Sequence, residues 1–250
     1  MKLIIEKDYE SLSDRAVFII KNLIENKEVK TIAFPTGKTP MLLYNKIADH
    51  YRNNEIDLSK ITGFMVDEYY PISQKSKINF RNVIDKYLCD HVKMKKMYYF
   101  DSENKDFLQE CNNYETKIKE EGGIDLAILG IGDNGHIGFN EPGSDFLSKV
   151  RLVELKSTTI MKNKIKYSTG ELNQKYALTI GILNIFKSKK ILIMASGREK
   201  SETVKKIIEG PINNELPASI LKIHQDITML VDIDAAVLVN EEILSLIKSN

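Results

Sequence analysis

The stretch Ile124-Asp125-Leu126-Ala127-Ile128-Leu129-Gly130-Ile131-Gly132-Asp133-Asn134-Gly135-His136-Ile137-Gly138-Phe139-Asn140-Glu141-Pro142-Gly143 decides the reading of the fold. Its first six residues form an apolar run of strand length and β-type composition. The run then breaks into a segment too rich in glycine and proline for a regular helix or strand. A strand opening into a tight polar loop is the architecture of open α/β sheets, which bind ligands at the carboxyl ends of their strands.

Working outward, the same alternation recurs. Thr31-Ile32-Ala33-Phe34 predicts a buried strand, with a helix from Pro40 to about Tyr51 after it. Ile61 to Val66 predicts another strand. Lys190 to Ala195 predicts a fourth, followed by a helix from Gly197 to Glu209 with Gly210 as its C-cap. Ile227 to Val231 predicts a fifth. An N-terminal helix from Tyr9 to about Asn26 places Leu12, Ala16, Ile19, Ile20 and Leu23 on one face. Strands alternating with helices imply parallel pairing through right-handed crossovers. The expected fold is therefore α/β: an open, mostly parallel Rossmann-like sheet with helices on both faces, in three layers. Without a repeat of 20 to 50 residues or a Pro-, Gly- or Ser-rich linker, residues 1–250 read as a single domain.

Composition narrows the function classes. The chain has 250 residues, 42% of them hydrophobic, and 36 Lys+Arg against 35 Asp+Glu give a net charge of +1. That balance excludes wholesale disorder and offers no basic field for nucleic acid. Cys89 and Cys111 are too few for a disulfide framework or, alone, for four zinc ligands. No apolar run reaches the roughly 20 residues that span a bilayer. The early charges at Lys2 and Glu6 are unlike a signal peptide, so a cytoplasmic protein is expected.

Two junctions after predicted strands look made for an anion. In Phe34-Pro35-Thr36-Gly37-Lys38-Thr39-Pro40, Thr39 is a natural N-cap, Pro40 fits the first helical position, and Gly37 lets the backbone turn tightly. Hydroxyls, amides and the positive helix end can then converge on one spot, although an ordinary capped junction would use the same residues. In Ser196-Gly197-Arg198-Glu199-Lys200, Ser196 and Glu199 have capping-box spacing. That places Lys200 in the first turn, where a cation is disfavoured unless an anion lies beside it.

Two further clusters carry titratable groups. Asp67 and Glu68 follow a buried strand, and because side chains alternate they point to opposite faces. Either a base for a carbon acid or a salt-bridged strand end fits them. His136 sits in the glycine-rich loop, with Glu141 near enough in sequence to orient its ring.

At these residues the sequence resembles the glucosamine-6-phosphate deaminase family, also called glucosamine-6-phosphate isomerases. Its T-G-G-T-P phosphate loop corresponds to Thr36–Pro40 and its [ML]-D-E-Y motif to Val66–Tyr69. The G-x-G-x-[DN]-G-H-I-[AG]-F-N-E-P loop corresponds to Gly130–Pro142, S-G-x-x-K to Ser196–Lys200, and P-A-S-x-L-x-x-H to Pro217–His224. The resemblance implies conversion of a hexosamine 6-phosphate to a keto-sugar phosphate plus ammonia, without cofactor or metal. It implies that Asp67 shuttles the C2 proton to C1, that His136 opens the pyranose ring, and that Glu141 and Asn134 support it. Thr36, Gly37, Thr39 and Lys200 match the phosphate site, with Lys38 inside the same loop. A homo-oligomer would be consistent with some members.

The chain departs from the family pattern at several positions. Lys38 stands where glycine is usual. Ile165, between Lys164 and Lys166, occupies the place of a phosphate-clamping arginine, which a lysine replaces only as a point charge. Asn134 stands where one branch has aspartate, with Asp133 adjacent. Of the positions that hold an allosteric sugar phosphate in some hexameric members, Arg151 matches, whereas Asp145 and Val153 replace small polar and cationic residues. Loss of the arginine is shared with the galactosamine-6-phosphate branch, whose substrate differs only at C4. A phosphosugar lactonase on the same scaffold would have no use for Asp67, and a phosphosugar sensor would have no use for the acid–base groups.

Overall fold

The computed structural model describes residues 1–157, 159–161 and 174–242. Among the described residues, ten strands are arranged in two sheets. The larger has seven, in the order β1 (Lys2–Glu6), β10 (Ile227–Asp232), β9 (Lys190–Ala195), β6 (Leu126–Gly130), β2 (Thr31–Phe34), β3 (Thr62–Met65), β5 (Lys96–Tyr98). Every pair in it is parallel. The central strands are buried along nearly their whole length, which explains their continuous rather than alternating apolar runs.

Helices carry the crossovers. Helix α1 (Tyr9–Glu25) starts at Asp8, whose carboxylate accepts the Ser11 amide at 2.8 Å. It buries Leu12, Ala16, Val17 and Ile20, whereas Ile19 and Leu23 of the expected stripe are half-buried. Helix α2 (Thr39–Arg52) follows β2. Helix α3 (Phe80–Ile84) runs on as a π turn (Asp85–Cys89), and α4 (Phe107–Glu120) precedes β6. Helices α5 (Ile182–Phe186), α6 (Ser201–Glu209) and α7 (Ile233–Ala236) follow later in the chain.

The strand order reverses between β2 and β6: the chain goes outward to β3 and β5 from one, and to β9 and β10 from the other. A crevice opens outside the carboxyl ends at such a point.

The second sheet was not legible in the sequence. It is antiparallel, in the order β4 (Asp67–Tyr70), β8 (Tyr176–Thr179), β7 (Arg151–Glu154). Only Val66 separates β3 from β4. Its amide donates to Phe34 in the large sheet at 3.1 Å, and its carbonyl accepts from Ile180 beside the small one at 2.9 Å. Asp67 therefore does not close the third strand, as expected, but opens another at the seam between the sheets.

Two helix ends also differ from expectation. Lys38, not Thr39, holds the N-cap position of α2 and makes no side-chain cap. Gly210 does end α6, but at φ −73° and not in the left-handed conformation. A Cβ there would crowd the Lys206 carbonyl at 2.6 Å, so close approach explains the glycine.

Candidate active site

Loops from the ends of β2, β6 and β9 line a cleft of about 850 Å³. Thr36, Gly37, Lys38 and Thr39 come from the first, Asn134 and His136 from the second, and Lys200 from the third. Asp67 enters from the seam. Glu141 stands behind this lining, in contact with Asn134.

The sharpest geometry is at His136. Its Nδ1 lies 2.7 Å from Asn134 Oδ1, and Asn134 Nδ2 donates to Glu141 Oε2 at 2.8 Å. A carboxylate only accepts, so it turns the amide nitrogen toward itself and the amide oxygen toward the ring. The oxygen in turn requires the proton on Nδ1, which directs Nε2 as the atom for proton exchange. Glu141 was expected to orient the ring directly. At 3.9 Å from Nδ1 it is too far for a hydrogen bond, and Asn134 fills the interval. Glu141 is also held by the Thr159 hydroxyl and is buried. The loop permits this because residue 132 is glycine: a Cβ would overlap the imidazole.

Asn140, in the same loop, is a structural residue. Its amide donates to the Ile137 and Ile180 carbonyls at 2.8 and 2.9 Å and accepts from Arg151 at 2.6 Å.

Asp67 is only 6% exposed and accepts from the Thr36 hydroxyl at 3.4 Å. Phe80 and Phe139 line the cleft and stack at 5.8 Å, with Tyr69 packed at 4.7 Å from Phe80. Such an apolar wall strengthens electrostatic effects at the carboxylate. Glu68 points away, as the alternation required. It accepts the amides of Tyr69 and Phe80 at 2.9 Å and of Arg81 at 3.0 Å, which ties α3 to β4. Burial pushes its carboxyl up to about 8 against the pull of those three donors.

At the other end, Gly37 adopts φ +139°, which favours glycine in the loop before α2. The Tyr9 hydroxyl donates to the carbonyls of Lys38 and Thr39 at 3.0 and 2.9 Å, bracing that loop from α1. The Ser196–Glu199 capping box does not form. The Ser196 hydroxyl instead donates to Asp232 at the end of β10, and the Gly197 amide donates to the same carboxylate at 3.0 Å. A short 3-10 turn, Arg198–Lys200, intervenes before α6. Lys200 pairs with Asp133 at 2.6 Å, so Asp133 faces the lysine and does not stand in for the acid missing at position 134.

Tyr9, Phe80 and Thr159 also line the cleft, and nothing in local sequence marked them, since they come from segments distant in the chain; Phe139 and Glu199 line it too, from the His136 loop and the Ser196–Lys200 junction. Lys164, Ile165 and Lys166 lie outside the described residues. Among the described residues no group of three His, Cys, Asp or Glu is placed to hold a metal, and no helix is long and apolar enough to cross a membrane.

A family model described as glucosamine-6-phosphate isomerases/6-phosphogluconolactonase matches residues 6–230. The chain is 37% identical to a glucosamine-6-phosphate deaminase of Thermoanaerobacter sp. (strain X514), over 97% of this chain and 96% of that protein. It is 39% identical to glucosamine-6-phosphate deaminase 2 of Bacillus subtilis (strain 168), over 94% and 96%. A monomeric glucosamine-6-phosphate deaminase superposes with a TM-score of 0.90 at 33% identity, covering 95% of this chain and 100% of that one. The 6-phosphogluconolactonase of Trypanosoma brucei superposes with a TM-score of 0.75 at 18% identity, over 94% and 97%, a likeness of fold alone.

Proposed function

The chain belongs to the family of glucosamine-6-phosphate isomerases and 6-phosphogluconolactonases, and from that premise we propose how its cleft works as a glucosamine-6-phosphate deaminase. The reaction turns glucosamine 6-phosphate and water into fructose 6-phosphate and ammonia.

The phosphate binds at the loop of Thr36, Gly37, Lys38 and Thr39, with Lys200 opposite. His136 moves a proton at the ring oxygen and opens the pyranose, with Asn134 fixing its tautomer and Glu141 fixing Asn134. Asp67 then removes the proton from C2, the C–H electron pair forms the C1–C2 double bond, and the C1 carbonyl oxygen takes a proton from water, giving an enolamine. The same carboxyl returns the proton to C1, leaving an iminium at C2. Water adds there, the C–N bond breaks, and ammonia departs. No electron carrier is needed, because C1 is reduced as C2 is oxidised.

One observation carries this reading: Asp67 and His136 line the same cleft as the Thr36 loop and Lys200. A carbon-acid base and a ring-opening group on one phosphosugar site serve the deaminase; a lactonase uses no C2 base.

The test is ammonia release from glucosamine 6-phosphate and galactosamine 6-phosphate, side by side. Release from the first is expected, and the second measures how strictly C4 is read. Release from neither would overturn the assignment.

A further inference from the structure

The cation assigned to the phosphate already has a counter-ion. Lys200 Nζ lies 2.6 Å from Asp133 Oδ1, with the lysine side chain only 17% exposed. The sequence offered no reason for this pair, since the residues are 67 positions apart.

The backbone that carries Asp133 is held in place. Its carbonyl accepts the Thr203 hydroxyl of α6 at 2.6 Å, and the flanking Gly132 amide donates to the His136 carbonyl at 2.9 Å. Residue 133 is thus pinned to the helix that Lys200 introduces. An ammonium has three donors, so Lys200 can serve a carboxylate and a phosphate together. The two anions would then share one cation within a few ångströms and repel.

Other charges near the pair come in both signs. Lys38 and Glu199 line the same cleft, His136 and Glu141 belong to the same loop region, and Lys206 and Glu215 line a smaller hollow behind Asp133. Asn134, next along the chain, carries no charge.

We propose that Asp133 is a charge-setting residue of the phosphate end, which holds Lys200 in place and weakens the site's grip on a phosphate dianion. The inference rests on the assignment of Lys200 to the phosphate. In functional terms Asp133 favours release of the phosphorylated product and resists occupation of the site by inorganic phosphate. Because the repulsion scales with ligand charge, it acts more strongly on the dianion than on the monoanion, which interconvert near pH 6 for a phosphate monoester and about one pH unit higher for inorganic phosphate.

The test uses the full chain and Asp133→Asn, with Asp133→Ser as a second variant and the melting temperature of each as a check on folding. The dissociation constant of inorganic phosphate is measured by titration calorimetry at about pH 5 and about pH 8, and KM and kcat by ammonia release. Removing one unit charge beside a dianion should tighten phosphate binding roughly tenfold at about pH 8, and only about threefold at about pH 5. KM should fall with it, and kcat should move less. Phosphate binding that is unchanged or weaker in both variants, absent from the wild type, or tightened equally at both pH values overturns the inference. Calorimetry does not depend on turnover. A charge-dependent tightening without ammonia release would therefore sink the deaminase reading and leave Asp133's role standing; ammonia release with unmoved binding would do the reverse.

Discussion

Asn134 Oδ1 stands 2.7 Å from His136 Nδ1, closer than any carboxylate oxygen of Glu141, so a neutral amide separates the imidazole from its acidic partner. The ring keeps a fixed tautomer while the negative charge stays one residue away.

Asn134→Asp therefore changes charge at nearly constant shape. A carboxylate against Nδ1 favours the imidazolium and raises its pKa by roughly 1–3 units. The basic form of His136 then appears only at higher pH, and the acidic limb of kcat/KM against pH should move in the alkaline direction by a similar amount. An unmoved limb would mean that Asn134 does not govern the ring.

Asp67→Asn keeps the shape of the buried side chain but cannot accept the C2 proton. Turnover should fall by about 10²–10⁴-fold or more, with phosphosugar binding nearly intact. Retention of a tenth of wild-type kcat would remove Asp67 from the role of base.

Lys200→Ala removes a charge-assisted contact remote from C1 and C2. Uniform binding is lost, so KM should rise about 10- to 150-fold, the equivalent of about 1.5–3 kcal/mol, with a smaller change in kcat. Steady-state kinetics decide this, and an unchanged KM would place the phosphate elsewhere.

Glu68 links β4 to α3 and gives stability a pH dependence. Its carboxyl is raised from the ordinary 4.5 to about 8 by burial. Below the ordinary value the group is neutral in both folded and unfolded chains. Between the two values the unfolded chain ionises first, so stability falls as pH rises, by at most about 1.4 kcal/mol per pH unit, and the loss is complete above the folded value. Glu68→Gln should flatten that slope and lose the Arg81 amide bond, costing about 1 kcal/mol. Denaturant midpoints from acid to alkaline pH test it, and parallel curves for the two proteins would refute it.

Where the fold was legible, local signals and tertiary structure agreed. Buried parallel strands such as Lys190–Ala195 leave continuous apolar runs, and α1 leaves a helical stripe. The small sheet left no comparable signal: its strands are four residues long, and β4 pairs with β8 more than a hundred positions away, as Asp67 does with Thr179. The capping box at Ser196 failed because Asp232, from the end of β10, takes both its hydroxyl and the Gly197 amide. Asp67, His136 and Lys200 were visible as residue types after strands. The bridging by Asn134 and the pairing of Asp133 with Lys200 were not, since adjacent residues of one loop turn to different partners. Only the folded loop decides which carboxylate meets which cation.

The most direct test of the central claim is an NMR time course of glucosamine 6-phosphate with the wild-type protein in D₂O. Fructose 6-phosphate and ammonia should appear in equal amounts, with solvent deuterium at C1 from exchange on the Asp67 carboxyl before the proton is returned. A ketose product without ammonia, or a substrate left unchanged, would contradict the account.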